Sequence, residues 1–199
     1  MKTNSISTFF VISAVAGSFL LSGCGTAAGY VDPNSSRLVT TVGQINIQDF
    51  SSAADAMVAS LIDNLINPGQ LKSGSPGEPA LMAISRITND TGQQFDTDLL
   101  VKKIRVNLLR TGKVQVTTTV GLNAAEDPLA AKLQVETGTK TRLPDYTLSG
   151  KIIQVRANAG SLSQSSFVFQ LSLTSHGGIA VWEDEKTITK QGSKSSVGF

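Results

Sequence analysis

The stretch Ala80-Leu-Met-Ala-Ile-Ser-Arg-Ile87 sets the architecture of this chain. Its apolar residues follow one another almost without interruption, whereas a strand with one exposed face alternates apolar and polar residues. A short uninterrupted run is typical of a central strand that is covered on both faces. We therefore predict a central strand here, and Asn89-Asp-Thr-Gly92 is predicted to form the turn that follows it.

The next segment is predicted to be a helix that leads into a second strand. Asp96 or Thr97 begins the helix, and Gly112 lies just past its end, where a helix C-terminus favours glycine. The apolar residues of this helix share one face: Leu100, Val101, Ile104 and Leu108. Lys113-Val-Gln-Val-Thr-Thr-Thr119 is rich in β-branched residues and is predicted to be a strand. Such a strand–helix–strand unit favours a parallel pair of strands joined by a right-handed crossover.

A first helix is predicted before the central strand, and a third helix after the parallel pair. Asp49 or Ser51 caps the first helix, and Asn67-Pro-Gly69 ends it. Its apolar residues recur at helical spacing: Phe50, Ala54, Met57, Leu61 and Leu65. The third helix is predicted from Glu126 to Val135, with Pro128 near its start, where a helix tolerates proline.

The C-terminal third of the chain changes to the period of strands. Tyr146 to Ala157 is predicted to be a long strand. Its apolar positions shift from Leu148 and Ile152 to Ile153 and Val155. Because one face of a regular strand keeps a period of two, this shift predicts a bulge or a strong twist.

Two further strands complete the predicted fold. Phe167-Val-Phe-Gln-Leu-Ser-Leu-Thr174 alternates cleanly and is predicted to be a half-exposed strand. Ser175-His-Gly-Gly178 is predicted to be a turn, and Ile179 to Lys190 to return as the final strand. The sequence thus predicts an α+β fold, in which a strand–helix–strand unit and an antiparallel meander form a small mixed sheet of about four to five strands, packed with about three helices.

The N-terminal segment is typical of a secretory signal peptide. Lys2 supplies a positive charge, and the apolar core from Phe9 to Leu21 is shorter than the about 20 residues that span a bilayer. Leu21-Ser-Gly-Cys24 resembles the bacterial lipobox, whose cysteine is diacylated and becomes a new N-terminus that is usually acylated as well. The alternative is a free thiol near an ordinary signal peptide. We favour lipidation of Cys24, because the single cysteine of an exported chain has no intramolecular partner.

The chain is predicted to contain four segments. These are a lipoprotein signal peptide at residues 1–23, the lipidated cysteine with a flexible tether at 24–37, one globular domain at 38–192 and a disordered tail at 193–199. Fully extended at about 3.3–3.6 Å per residue, residues 25–37 reach roughly 45 Å, and a tether that continues to Asp49 reaches roughly 85 Å. A binding partner is therefore expected close to the membrane that holds the anchor.

Catalytic and metal-binding motifs are missing from the sequence. His176 is the single histidine and lies in a glycine-rich turn, where we interpret it as a solvated residue. No Gly-x-Ser-x-Gly, Ser-x-x-Lys, Gly-x-x-x-x-Gly-Lys or Gly-x-Gly-x-x-Gly motif occurs. One histidine cannot build a typical zinc site, so we expect no cofactor and no metal. The net charge of +2 is too small to indicate a nucleic-acid partner.

Two charged clusters remain as candidates. Glu183, Asp184 and Glu185 lie beside Trp182, and paired carboxylates with an aromatic platform could serve a hydrolase. Neighbouring residues of a strand point to opposite faces, however, so a charged edge strand is the favoured interpretation. The second cluster gives the second helix a basic character that could meet an acidic partner, although a solvated helix face is favoured: Lys102, Lys103 and Arg110.

Several stretches between about Phe50 and Gly192 resemble the penicillin-binding-protein activators of the LpoB family. The strand end Ile87-Thr-Asn-Asp-Thr91 and the helix end Arg110-Thr-Gly-Lys113 belong to this resemblance. The strongest stretches lie in the C-terminal third: Asp145-Tyr-Thr-Leu-Ser-Gly-Lys151, Phe169-Gln-Leu-Ser-Leu173, Val181-Trp-Glu183 and Ile188-Thr-Lys-Gln-Gly192.

The resemblance implies a function as well as a fold. It implies a monomeric outer-membrane lipoprotein, facing the periplasm, whose small domain is similar to the N-terminal domain of TolB. Such a protein is not an enzyme. It binds the periplasmic domain of a bifunctional, class A penicillin-binding protein and activates it, which regulates peptidoglycan synthesis in the cell wall. Gly25, next to the cysteine, favours the outer membrane, because an aspartate there would resemble an inner-membrane retention signal.

Two alternatives stay open at this point. The first is a structural or secretion-assembly envelope lipoprotein of the CsgG type, which would form an oligomeric pore from strands of about 9–11 residues. The second is an enzyme that uses Glu183 or Asp184. A large ring in detergent would favour the pore, and alanine substitutions that leave function unchanged would exclude the enzyme.

Overall fold

The computed structural model describes residues 28–33, 35, 38–117, 128–138, 142–193 and 197–198. Contacts between residues divide the chain into Met1–Asp32 and Pro33–Phe199, and all the elements below belong to the second unit. They follow one another in this order: β1 (Thr40–Thr41), α1 (Ile47–Leu61), a π-helical turn (Ile62–Ile66), β2 (Ala80–Asp90), α2 (Asp98–Arg110), β3 (Val114–Val116), α3 (Pro128–Thr137), β4 (Tyr146–Ala159), β5 (Leu162–Ser175), β6 (Ala180–Ser193) and β7 (Val197–Gly198).

The main sheet of the described residues has five strands in the order β3-β2-β4-β5-β6. β2 runs parallel to both of its neighbours, β3 and β4. β4, β5 and β6 form an antiparallel meander, and the short strands β1 and β7 pair separately. This arrangement confirms the predicted α+β class, with a parallel unit joined to a meander in one mixed sheet.

β2 is the central strand that the sequence predicts. Its first five residues, Ala80 to Ile84, are all buried, as expected for a strand covered on both faces. The strand continues to Asp90, so the predicted turn at Asn89 was placed two residues too early. The side chain of Asn89 accepts the N–H of Thr91 at 3.1 Å, and the turn begins at that residue.

Of the bulge or strong twist predicted for β4, the bulge is absent. β4 pairs with β5 without interruption from Tyr146 opposite Ser175 to Ala159 opposite Leu162. Instead, the irregularity lies in β2, between Ile84 and Ile87. Ile153 and Val155 are apolar but lie on the outer face of the sheet, opposite to the face that buries Ile152. The strand therefore keeps its regular period of two, although its apolar residues shift from one face to the other.

Gly150 of β4 lies where the sheet leaves no room for a side chain. It pairs with Ile87 on one side, directly after the irregular stretch of β2, and with Leu171 on the other. A Cβ atom at this position would lie 2.6 Å from the carbonyl oxygen of Gln170 and 2.6 Å from Cδ2 of Leu171. The close approach of the neighbouring strand therefore requires glycine here.

Helices α1 and α2 cover the inner face of the sheet and share one hydrophobic core with it. Phe167 and Phe169 of β5 are fully buried in this core. The rings of Phe50 in α1 and Phe169 meet edge to face at 6.1 Å between centroids. Burial of such a side chain stabilises a fold by about 1.5–3 kcal/mol. The predicted apolar faces of both helices are confirmed as buried: Phe50, Ala54, Met57, Leu61 and Leu65, and Leu100, Val101, Ile104 and Leu108.

The start of α1 differs from the prediction by a few residues. Asn46 caps the helix, and Asp49 occupies the third helical position instead of the cap. Oδ2 of Asp49 accepts the backbone N–H of Asn46 at 2.7 Å, which is one half of a capping box. At the other end, Gly69 has a φ of +69° and follows the π-helical turn, in agreement with the predicted stop.

The remaining helices lie close to their predicted positions. Thr97 caps α2, and Gly112 follows the helix with a φ of +65°, as predicted for its C-terminus. α3 begins at Pro128, and the predicted start at Glu126 lies outside the described residues. β3 lies within the strand predicted from Lys113 to Thr119, and the part of that prediction beyond Thr117 also lies outside the described residues.

The final strand of the meander extends past its predicted end at Lys190. β6 extends to Ser193, which pairs with Leu162, because β5 is long enough to supply a partner for every added residue. Val197 and Gly198 then pair with Thr41 and Thr40. Three residues of the predicted tail at 193–199 thus pair in strands, and its other residues lie outside the described part of the chain, so the disorder of the tail stays a prediction.

Candidate partner-binding surface

The predicted lipidation site lies outside the described residues. Lipidation of Cys24 therefore stays a prediction from the sequence. Searched across its described residues, the chain contains no helix that is both long and apolar enough to cross a membrane.

The acidic cluster lies on β6, which is an edge strand of the main sheet as described. Glu183 accepts a hydrogen bond from Ser172 at 2.9 Å, and Glu185 accepts one from Gln170 at 2.9 Å. Trp182 points into the core and Asp184, on the same face of the strand, is half-buried. The two glutamates are thus tied to β5 on the outer face of the sheet, in agreement with the interpretation as a charged edge strand.

His176 lies in the exposed turn between β5 and β6, as predicted. Its backbone N–H donates to the carbonyl oxygen of Asp145 at 2.9 Å. Among the residues that the structure describes, no group of three or more His, Cys, Asp or Glu side chains could hold a metal ion.

The basic cluster of the second helix is divided between two faces of α2. Lys103 faces α1, where its Nζ lies 3.4 Å from Oδ2 of Asp55. Asn107 joins it by donating to Oδ1 of Asp55 at 3.0 Å. Lys102 and Arg110, in contrast, are exposed and form no ion pair with any described residue.

Large apolar side chains lie beside Lys102 and Arg110. Leu99 is 56% exposed, Val106 37% and Leu109 46%. At about 100° per residue of an α-helix, these five residues occupy an arc of about 100°. We call Leu99, Lys102, Val106, Leu109 and Arg110 the α2 outer face. The sequence analysis identified the charges of this face but not its apolar residues. These could have been recognised as leucines and a valine that lie outside the buried stripe of the helix.

A hydrogen-bonded carboxylate joins the start of β4 to the start of β2. Asp145 accepts the backbone N–H of Leu81 at 2.8 Å and that of Gly74 at 2.9 Å. Nη2 of Arg142 donates to Oδ2 of Asp145 at 2.6 Å, and Nη1 lies 2.8 Å from Oε2 of Glu78. Asp145 begins one of the stretches that resemble the LpoB family most strongly. Its hydrogen-bond partners could not be predicted from the sequence, because they lie more than 60 residues away.

This environment changes the pKa of Asp145. Burial alone raises the pKa of a carboxyl group, because it disfavours the charged form. The backbone donors of Leu81 and Gly74 and the guanidinium of Arg142 outweigh burial, and together they hold the pKa of Asp145 below its ordinary value. The carboxylate is therefore charged in the folded domain near neutral pH and stabilises the contact between the two strand starts.

A buried lysine joins the last long strand to the N-terminus of α1. Lys190 of β6 forms an ion pair with Asp49, and the exposed fractions of the two side chains are 8% and 11%. Its Nζ also donates to the carbonyl oxygen of Gln44 at 2.8 Å and to Oδ1 of Asn46. The ammonium lies 5.6 Å from the ring centroid of Phe167. This cluster fixes the segment through which the chain enters the domain.

Comparison with known proteins identifies the family of this chain. A scan against models of protein families matches residues 49–188 to the family described as peptidoglycan-synthase activator LpoB. The match runs from the first turn of α1 through most of β6 and covers well over half of the chain. The chain therefore belongs to the LpoB family of peptidoglycan-synthase activators.

The solved structures to which this chain is similar include LpoB domains. The LpoB C-terminal domain from Escherichia coli is 15% identical, with a TM-score of 0.44 and coverage of 71% of this chain and 99% of that domain. The corresponding domain from Salmonella enterica is 15% identical, with a TM-score of 0.43 and coverage of 70% and 98%. The NMR structure of E. coli LpoB is 16% identical, with a TM-score of 0.41 and coverage of 84% and 82%. No curated protein matches the chain in sequence.

Proposed function

We propose that this chain is an outer-membrane lipoprotein, anchored through Cys24, that binds a class A penicillin-binding protein in the periplasm and activates it. The observation that carries the proposal is the family match over residues 49–188. The lipobox-like Leu21-Ser-Gly-Cys24 supports the anchor, and Gly25 supports the outer membrane. Activation needs no chemistry on this chain, because a binding protein shifts an enzyme toward the state for which it has the higher affinity.

The partner can be identified by cross-linking in cells. The full chain, with its own signal peptide and anchor, is expected to yield a cross-linked product that contains a class A penicillin-binding protein. Cross-linked products that contain further copies of this chain and no synthase would contradict the proposal and would favour the pore alternative.

Replacement of Cys24 is expected to remove the anchor completely. The Cys24→Ala chain has no thiol to acylate, so palmitate labelling should disappear and the protein should leave the membrane fraction. Ser22→Ala is a suitable control because it keeps a small residue in the processing site. Equal labelling of the Cys24→Ala and Ser22→Ala chains would show that the lipid is not on the cysteine.

A further inference from the structure

The exposed faces of the two core helices differ in chemistry. Beyond Ile47 at its start, α1 presents small or polar residues to solvent: Ser52, Asp55, Ala56 and Ala59. The α2 outer face presents two leucines and a valine together with two cations. Both helices cover the same core, so the difference does not follow from packing within the domain.

The charges of the α2 outer face have a single sign. Lys102 and Arg110 are both cationic, and the acidic residue of the helix, Asp98, lies in its first turn. Asp98 is about three helical turns away from Arg110 but only about one turn from Lys102, which follows it at i+4, so Arg110 is the cation farther from a carboxylate of the helix. Isolated apolar side chains are common on protein surfaces, whereas several that share one patch with polar residues at its rim are typical of a binding surface. The complement of such a surface is an apolar groove with carboxylates at its rim.

We propose that the α2 outer face is the surface through which this chain docks on the synthase, and that the synthase offers an apolar groove rimmed by Asp or Glu. This inference rests on the proposed function for the choice of partner. Val106 lies near the middle of the stripe and enters the groove with Leu109. Lys102 and Arg110 meet the acidic rim and orient the two proteins.

A membrane surface is the other class of partner that a basic and apolar helix face could meet. Helices that lie on membranes carry aromatic anchors, and lipid-binding clusters contain about four to eight Lys or Arg residues. The α2 outer face has two cations and no aromatic side chain. Its composition therefore favours a protein groove.

Charge reversal tests this inference. The full chain with Lys102→Glu and Arg110→Glu is compared with a control of equal net charge, Lys72→Glu with Lys132→Glu, whose two residues are exposed and lie outside α2. The purified class A penicillin-binding protein of the same cell is titrated against each chain in detergent. We expect Kd to rise at least about tenfold for the α2 variant, because like charges then face each other, and by less than about twofold for the control.

A second variant separates a lost interaction from a damaged fold. Lys102→Gln with Arg110→Gln removes the charges without adding repulsion, and thermal unfolding followed by circular dichroism checks all chains. We expect an intermediate rise in Kd and an unchanged midpoint of unfolding, because both positions are solvent-exposed.

The outcomes distinguish this inference from the proposed function. If the unsubstituted chain binds the synthase and both charge-reversed chains bind equally well, the docking surface is wrong and the proposed function stands. If the unsubstituted chain binds no class A synthase, the proposed function fails and this inference fails with it. If the α2 variant loses binding to phosphatidylglycerol vesicles but keeps its affinity for the synthase, the face contacts the membrane and the inference is overturned.

Discussion

Replacement of Lys190 by methionine is expected to destabilise the domain by about 3–5 kcal/mol, because it leaves the carboxylate of Asp49 buried without its counter-charge. Asp49 is 11% exposed, so water cannot replace the missing ammonium efficiently. The carbonyl oxygen of Gln44 and the side chain of Asn46 lose the same donor. Urea unfolding of the full chain in detergent, followed by circular dichroism, gives the free energy of unfolding.

Lys151 provides the matched control for this prediction. It is also a strand lysine paired with an aspartate, and its Nζ lies 2.8 Å from Oδ2 of Asp90. Both of these side chains are exposed, at 45% and 60%. Lys151→Met should therefore cost less than about 1 kcal/mol. Equal effects of Lys190→Met and Lys151→Met would show that the buried ion pair does not fix the entry segment.

Asp145→Ala is expected to produce the second large loss, of roughly 3–5 kcal/mol. The substitution leaves the backbone N–H groups of Gly74 and Leu81 without their acceptor and leaves the half-buried guanidinium of Arg142 without its closest carboxylate. Glu78→Ala removes the other carboxylate of the same arginine, but that side chain is 56% exposed. It should therefore cost less than about 1 kcal/mol.

The pH dependence gives an independent test of Asp145. Because its folded-state pKa is lowered, its contribution to stability is complete above the ordinary carboxyl value of 3.8. The contribution is lost as the pH falls from there through the folded-state pKa. The difference in stability between the original chain and Asp145→Asn should thus be constant near neutral pH and shrink in acid. A difference that grows as the pH falls would contradict the assignment.

Local patterns predicted most of the secondary structure, for reasons that individual elements make clear. The apolar run that begins at Ala80 predicts a strand buried on both faces, and the alternation that begins at Phe167 predicts a strand buried on one face. The structure confirms both predictions. Ile153 and Val155 gave a false signal because apolar residues can also occupy an outer face. Asn46 was missed as a helix cap because neighbouring Asp49 offered an equally good capping residue in the sequence.

The contacts that fix the domain could not be predicted, because they join residues that are distant in the chain. Lys190 meets Asn46 across 144 residues, and Asp145 meets Gly74 across 71. The residues next to Lys190 and Asp145 in the sequence do not indicate these roles, because the roles depend on the order of the strands in the sheet. Only part of the α2 outer face could be predicted. The sequence indicated Lys102 and Arg110, whereas the exposure of Val106 depends on how the helix packs on the sheet.

The rate at which a purified class A penicillin-binding protein polymerises its lipid-linked precursor tests the proposed activator role most directly. The synthase should come from the same cell as this chain, and the full chain should be added in detergent up to saturation. We expect the rate to rise with the concentration of the chain, and to rise less with the Lys102→Glu, Arg110→Glu variant. An unchanged rate at saturation, for every class A synthase of that cell, would contradict the proposed function.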